Sequence, residues 1–289
     1  MLRYVAYILI VLTAVGLMAA VGVFLIGGLA ARLGTSGAVR LTAFDGVTTD
    51  GPGPCRLRAM MEDAQFNRPI LLARLFLRFD DGWTGTSRTS RNGACLINAP
   101  GRPVGRHVFT VMLSELDPRL GVRADGYLWV RAADTRVLWI DADSFLPHTT
   151  AADTAAGRLP APALDALDAV KTLAGGRQVV YLVWAEAAEY RARRQALQNP
   201  SIPPGPAYWV KPGEESQRLG ALRSVWPRVD GAVVCSEALA AAAGDRKIVT
   251  WRVPSAGGAQ GGTPAMIRSW HEVLDRLTFE QGARGAREK

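Results

Sequence analysis

The chain has 289 residues, 48% of them hydrophobic and 21% charged, which excludes wholesale disorder; its 30 glycines and 17 prolines follow no G-X-Y period, which excludes collagen. The net charge is +8, from 34 Lys+Arg against 26 Asp+Glu, and only four of the bases are lysines. That arginine excess is spread over the whole length without a basic run interleaved by aromatics, so a nucleic-acid partner is not expected.

The first element is an apolar run without charge from Tyr4 to Ala31, bracketed by Arg3 and Arg32. It exceeds both the ~20 residues of a spanning helix and the apolar core of about 7–15 residues in a cleaved leader. The run therefore predicts an uncleaved, single-pass anchor over 1–34. Lysine and arginine counts on its two sides nearly tie; the short N-terminal tail favours a body outside the cytoplasm. Residues 35–54, rich in Gly, Thr and Pro, read as a linker.

Residues 55–136 carry the marks of a β-sandwich of immunoglobulin or transthyretin type. Strands are expected within 69–79, 84–100, 101–113 and 126–132, with turn signals at Asp80-Asp81-Gly82 and Asn92-Gly93. Cys55 and Cys95 can pair in an oxidising compartment, or all three cysteines, with Cys235, can stay reduced.

After residue 136 the pattern changes. Apolar runs at 137–141, 178–184, 207–210, 231–236 and 247–253 alternate with helical periodicity at about 160–174, 185–198, 214–226 and 236–244. Alternation of that kind predicts a small α/β domain over 137–254 with a parallel sheet. A glycine-rich linker at 255–263 and an amphipathic helix in 264–289 follow, its stripe formed by Met266, Ile267, Trp270, Val273, Leu274 and Leu277. That helix can dock back on the body, or serve a protein partner or a membrane surface; the sandwich is the other expected partner surface.

In open parallel sheets ligands sit beyond the carboxyl ends of the strands, so the strand ends are the places to read. The first ends in Asp141-Ala142-Asp143. Two carboxylates two apart can share a divalent ion, or divide nucleophilic attack and proton transfer between them. "VLWIDADSFL", "GGRQVVYLVWAEAAEYRARRQAL", "PPGPAYWVKPG…SQRLGALRSVWP" and "VDGAVVCS" resemble the four motif regions of the haloacid dehalogenase superfamily, nearest its branch of lipin-like phosphatidate phosphatases. The resemblance covers residues 137 to about 245.

What the resemblance implies is a phosphohydrolase forming an aspartyl-phosphate, with Asp141 as nucleophile and Asp143 as general acid/base. Arg218 or Lys211 would neutralise the phosphoryl oxygens, and Asp141, Asp143 and Glu237 would hold magnesium. The motifs are degenerate. Val183 stands where a phosphate-holding Ser or Thr belongs, Cys235 and Ser236 stand where the last acids belong, and Phe145 replaces a small polar residue. Trp184 can fill the space of a substrate, and His148 lies near the expected pocket mouth. The expected whole is thus an α+β multidomain, membrane-anchored protein with a β-sandwich and a haloacid dehalogenase-like domain, acting in binding or scaffolding rather than catalysis. The alternatives are a magnesium-dependent phosphohydrolase acting on a phosphomonoester, including a lipid phosphate, and an unrelated α/β domain.

Overall fold

The computed structural model describes residues 39–113, 122–146, 164–253 and 270–276. Thirteen strands lie among them, arranged in three sheets. The first eight strands are β1 (Val39–Phe44), β2 (Gly46–Thr49), β3 (Cys55–Asp63), β4 (Arg74–Phe79), β5 (Thr84–Arg88), β6 (Ala94–Ala99), β7 (Gly105–Leu113) and β8 (Arg123–Arg131). They make two facing sheets in the orders β1-β3-β6 and β2-β8-β7-β4-β5. All pairings there are antiparallel except β2 with β8.

Period-two alternation explains the sandwich. Along β3 the side chains of Leu57, Ala59 and Met61 are buried inward, opposite Leu75, Leu77, Phe109 and Val111 of the second sheet, while Arg56 and Arg58 stay outside the core. The Asn92-Gly93 signal is a real turn. Gly93 has φ +72°, and a Cβ there would stand 2.5 Å from the Met61 carbonyl oxygen, so only glycine fits without strain.

The remaining strands, β9 (Val137–Asp141), β10 (Gln178–Trp184), β11 (Ala207–Val210), β12 (Val229–Val234) and β13 (Thr250–Arg252), are all parallel in the order β11-β10-β9-β12-β13. Four helices connect them: α1 (Leu164–Leu173), α2 (Ala187–Leu197), α3 (Glu215–Val225) and α4 (Glu237–Gly244). Both faces of the sheet are covered, which is why β9 is buried at all five positions. Ile140, Tyr181 and Val183 pack with α1 and α2; Trp139, Leu182 and Val234 pack with α3 and α4. The strand order reverses at β9, so its carboxyl end lies at the switch point of a doubly wound sheet.

Several expectations need correction. The stretch 35–54, expected to be a linker, holds β1 and β2, and residues 69–73 stay outside β4, whose strand begins at Arg74. The fold class as expected, led by a membrane-spanning helix, does not stand: the described residues form three sheets with short connecting helices, and no helix among them is long and apolar enough to cross a membrane. The anchor expected over 1–34 falls outside the described residues. Without that support, the membrane as partner and the single-pass localisation are withdrawn. The C-terminal helix is described over 270–276, where Trp270 and Val273 are buried in the core on the α1–α2 face. Those two stripe residues therefore serve this chain and not a partner.

The cysteine alternative is settled by register. Cys55 lies opposite Ala99 and Cys95 opposite Ala59 on the same strand pair, four residues apart along the strands. At about 3.3 Å per residue that is well beyond the ~7 Å a disulfide can bridge. Both thiols are free and buried.

Candidate functional site

The candidate site stands at the carboxyl end of β9. Asp141 closes the strand and is completely buried. A short 3-10 turn, Ala142–Ser144, follows at once, and Asp141 caps it by accepting from the Asp143 amide at 3.2 Å. Ser144 Oγ donates to the Asp141 carbonyl at 2.6 Å, tightening the same turn.

The second carboxylate oxygen of Asp141 is occupied from β12. The backbone amides of Cys235 and Ser236 and the Cys235 thiol all donate to Oδ2, each at 3.2 Å. These amides lie at the start of α4, where Ser236 caps the helix by accepting from the Leu239 amide. A helix start offers free N–H groups and partial positive charge to an anion. Here the aspartate side chain takes that seat. Burial, then the nearby Asp143 charge, pushes the Asp141 carboxyl above its ordinary range. Burial, then the Asp141 charge, pushes the Cys235 thiol far up, so it is no ready thiolate.

Asp143 does not join Asp141 around a shared vacancy. Both its oxygens accept from Arg193 Nη1, at 2.5 and 2.6 Å, and the same nitrogen also reaches the Trp184 carbonyl at 3.2 Å. Arg193 lies on α2 and is itself buried. A cation supplied by the fold thus sits on the carboxylate that was expected to hold a metal. Sequence reading passed over Arg193 because it falls in the run Arg191-Ala192-Arg193-Arg194, which reads as an ordinary solvated helix face. The available signal was helical phase: Arg193 shares its face with Tyr190 and Leu197, both buried.

The other expected residues are dispersed. Glu237 is exposed at the first position of α4. Lys211 follows β11, its carbonyl closing a turn with the Glu214 amide. Arg218 turns back onto β11, where its Nε donates to the Trp209 carbonyl at 3.0 Å and its guanidinium lies 4.8 Å from the centre of the Tyr208 ring. Val183 and Phe145 are core residues, the latter against Tyr181. Trp184 donates to Glu215 at 2.7 Å. His148 lies outside the described residues.

Magnesium, which the resemblance implies, requires oxygen ligands in near-octahedral order. Asp141 Oδ2 already takes three donors, Asp143 is clamped by Arg193, and Glu237 faces solvent. Among the described residues no group of three or more His, Cys, Asp or Glu could hold a metal ion. The residues present do not fit the ion.

A second buried carboxylate was missed altogether. Asp45, between β1 and β2, accepts from Arg194 Nε at 2.7 Å, from the Tyr127 amide at 3.0 Å and from the Ala207 amide at 3.1 Å. Its own amide donates to Tyr190 Oη at 3.0 Å, and that hydroxyl donates to the Ala207 carbonyl at 2.8 Å. The sandwich, α2 and β11 are thereby tied at one point. Phe44 adds an apolar tie, stacked on Trp209 at 4.1 Å.

No protein-family profile matches the chain, and no curated protein matches it. Among solved structures, the D0-D1 domain of intimin is 10% identical with a TM-score of 0.23, covering 32% of this chain and 47% of that one. A putative beta-galactosidase from Bacteroides fragilis is 11% identical with a TM-score of 0.29, covering 80% of this chain and 40% of that one. The chain spans less than half the length of either structure, and likenesses of this strength carry no argument about function. The expected phosphatase character thus finds no support among relatives.

Proposed function

We propose that this chain is a non-catalytic binding protein in which an α/β domain of phosphatase-like plan has had its reaction centre closed. The observation that supports this reading is the state of the two aspartates. A carboxylate that attacks phosphorus needs a free oxygen lone pair facing the substrate, with donors and a cation around the departing charge. Asp141 instead spends Oδ2 on three protein donors and has no exposed surface. Asp143, the partner that would move the proton, is fixed by two short bonds from Arg193. Both groups act as struts joining β9, α2 and α4.

The sequence supports the reading from another side. Valine at 183 offers no hydroxyl to a phosphate, and the exposed Glu237 lies outside the group formed by Asp141, Cys235 and Ser236. The test is phosphate release from p-nitrophenyl phosphate by the purified chain with and without magnesium. The expected result is no release above buffer. Magnesium-dependent release that disappears in Asp141→Asn would overturn the reading in favour of a phosphohydrolase.

A further inference from the structure

Between the outer face of β3 and the helix α3 lies a cleft of about 700 Å³. Arg56 and Arg58 reach it from the sandwich, Arg88 from the end of β5 and Arg218 from α3. Two carboxylates line it. That of Asp45 is consumed by Arg194 and two backbone amides. The other, Glu214, stands 3.8 Å from Arg58, a loose pair. Among the described residues, Arg56, Arg88 and Arg218 have no carboxylate within ion-pair distance.

The two inner guanidinia converge on one indole. Arg58 lies 4.8 Å from the centre of the Trp209 ring, Arg218 lies 6.0 Å from it, and both are partly withdrawn from solvent. Burial first, and the Arg218 charge second, lower the Arg58 pKa, and the loosely paired Glu214 pulls back only in part. Like charges held together in a half-buried cleft raise the free energy unless an anion enters, and a guanidinium fork matches the paired oxygens of a phosphoryl or carboxylate group. The walls are not purely polar. Leu96, on β6, is 60% exposed beside the cleft, and Ala221 and Val225 of α3 line the other side.

We propose that this cleft binds a small organic anion: a phosphoryl or carboxylate group seated between Arg58 and Arg218, on an apolar body lying against Leu96 and Val225. The proposal rests on the reading of the chain as a binding protein and deepens it. It is independent of the Asp141 centre, since none of the cleft's arginines touches Asp141 or Asp143.

The test is calorimetric titration of the full chain with phenyl phosphate, phenylacetate and inorganic phosphate at low and high salt. Expected is salt-sensitive binding of phenyl phosphate or phenylacetate, tighter than that of inorganic phosphate. Whichever of the two aromatic anions binds more tightly identifies the oxyanion. Arg58→Gln should weaken binding about tenfold, one lost charge-assisted interaction. The exposed Arg88→Glu, with little bearing on folding, should weaken it severalfold, and Asp141→Asn should leave it unchanged. No binding of any probe, or binding equal in wild type and Arg88→Glu, overturns the proposal; so does inorganic phosphate binding as tightly as the tighter of the two aromatic anions. Turnover lost in Asp141→Asn would instead overturn the non-catalytic reading while leaving the cleft to be judged by Arg58 and Arg88.

Discussion

Among the described residues two aspartates, Asp45 and Asp141, are almost entirely withdrawn from water, and adjacent arginines on one helix treat their surroundings differently. Arg194 pairs directly with Asp45 at the border with the sandwich. Arg193, the preceding residue, projects about 100° around α2 from it and pairs with Asp143, leaving Asp141 to backbone amides and a thiol. In both carboxyls burial is the largest influence and raises the pKa, but at Asp45 the guanidinium pulls back against it, whereas at Asp141 the nearest charge is another carboxylate that adds to it. The contrast separates a charge kept for assembly from one kept as a hydrogen-bond hub. A buried ion pair is costly to break because the surviving partner stays uncompensated. A carboxyl fed by neutral donors is closer to an uncharged strut.

Mutations that break the comparison should follow that order. Asp45→Ala strands the Arg194 guanidinium, which is 13% exposed, and should cost about 3–5 kcal/mol of unfolding free energy in urea titration; the replacement Asp45→Ala with Arg194→Met should recover much of it. Arg193→Met removes two short charge-assisted bonds from the less buried Asp143 and should cost about 1.5–3 kcal/mol. Asp141→Asn keeps the shape but turns one amide hydrogen toward a donor, an expected loss of about 1–2 kcal/mol. Cys235→Ala removes only the weak thiol bond and should cost about 0.5–1 kcal/mol. If Asp141→Asn proved costlier than Asp45→Ala, the assignment of charge to one centre and strut to the other would be reversed.

Titration sharpens the same contrast. Raised carboxyl pKa values mean that the folded state holds protons which the unfolded chain has already released. Stability then falls as pH rises above the ordinary aspartate value of 3.8. Asp141→Asn should flatten that decline measurably in chemical denaturation from acidic to neutral pH, because it removes a group whose ionisation the fold resists.

How much of this was legible in the sequence differs by level. β9, β10 and β11 coincide with the apolar runs at 137–141, 178–184 and 207–210, because strands covered on both faces read as near-continuous apolar runs. The Asp141-Ala142-Asp143 pair was placed correctly at a strand end for the same reason. β1 and β2 were missed because their glycine- and threonine-rich stretch mimics a linker, while Asp45, whose role depends on partners 82 to 162 residues away, has no local signature. Arg218 was read as a phosphate-neutralising group, but from α3 it bonds the Trp209 carbonyl of the edge strand β11 and shares a cleft with Arg58 of the sandwich.

By itself the sequence determined the periodicities, and through them which segments become paired strands, which become amphipathic helices and where two acids follow an apolar run. Local pattern suffices for that, since hydrophobic burial acts residue by residue along a strand or helix. Only the tertiary structure decided what those acids face. Whether Asp141 meets open solvent, a metal ion or the amides of Cys235 and Ser236 depends on how β12 docks beside β9 and which way Arg193 turns from α2. Such choices follow from packing between distant segments and the high cost of leaving a buried charge unpartnered.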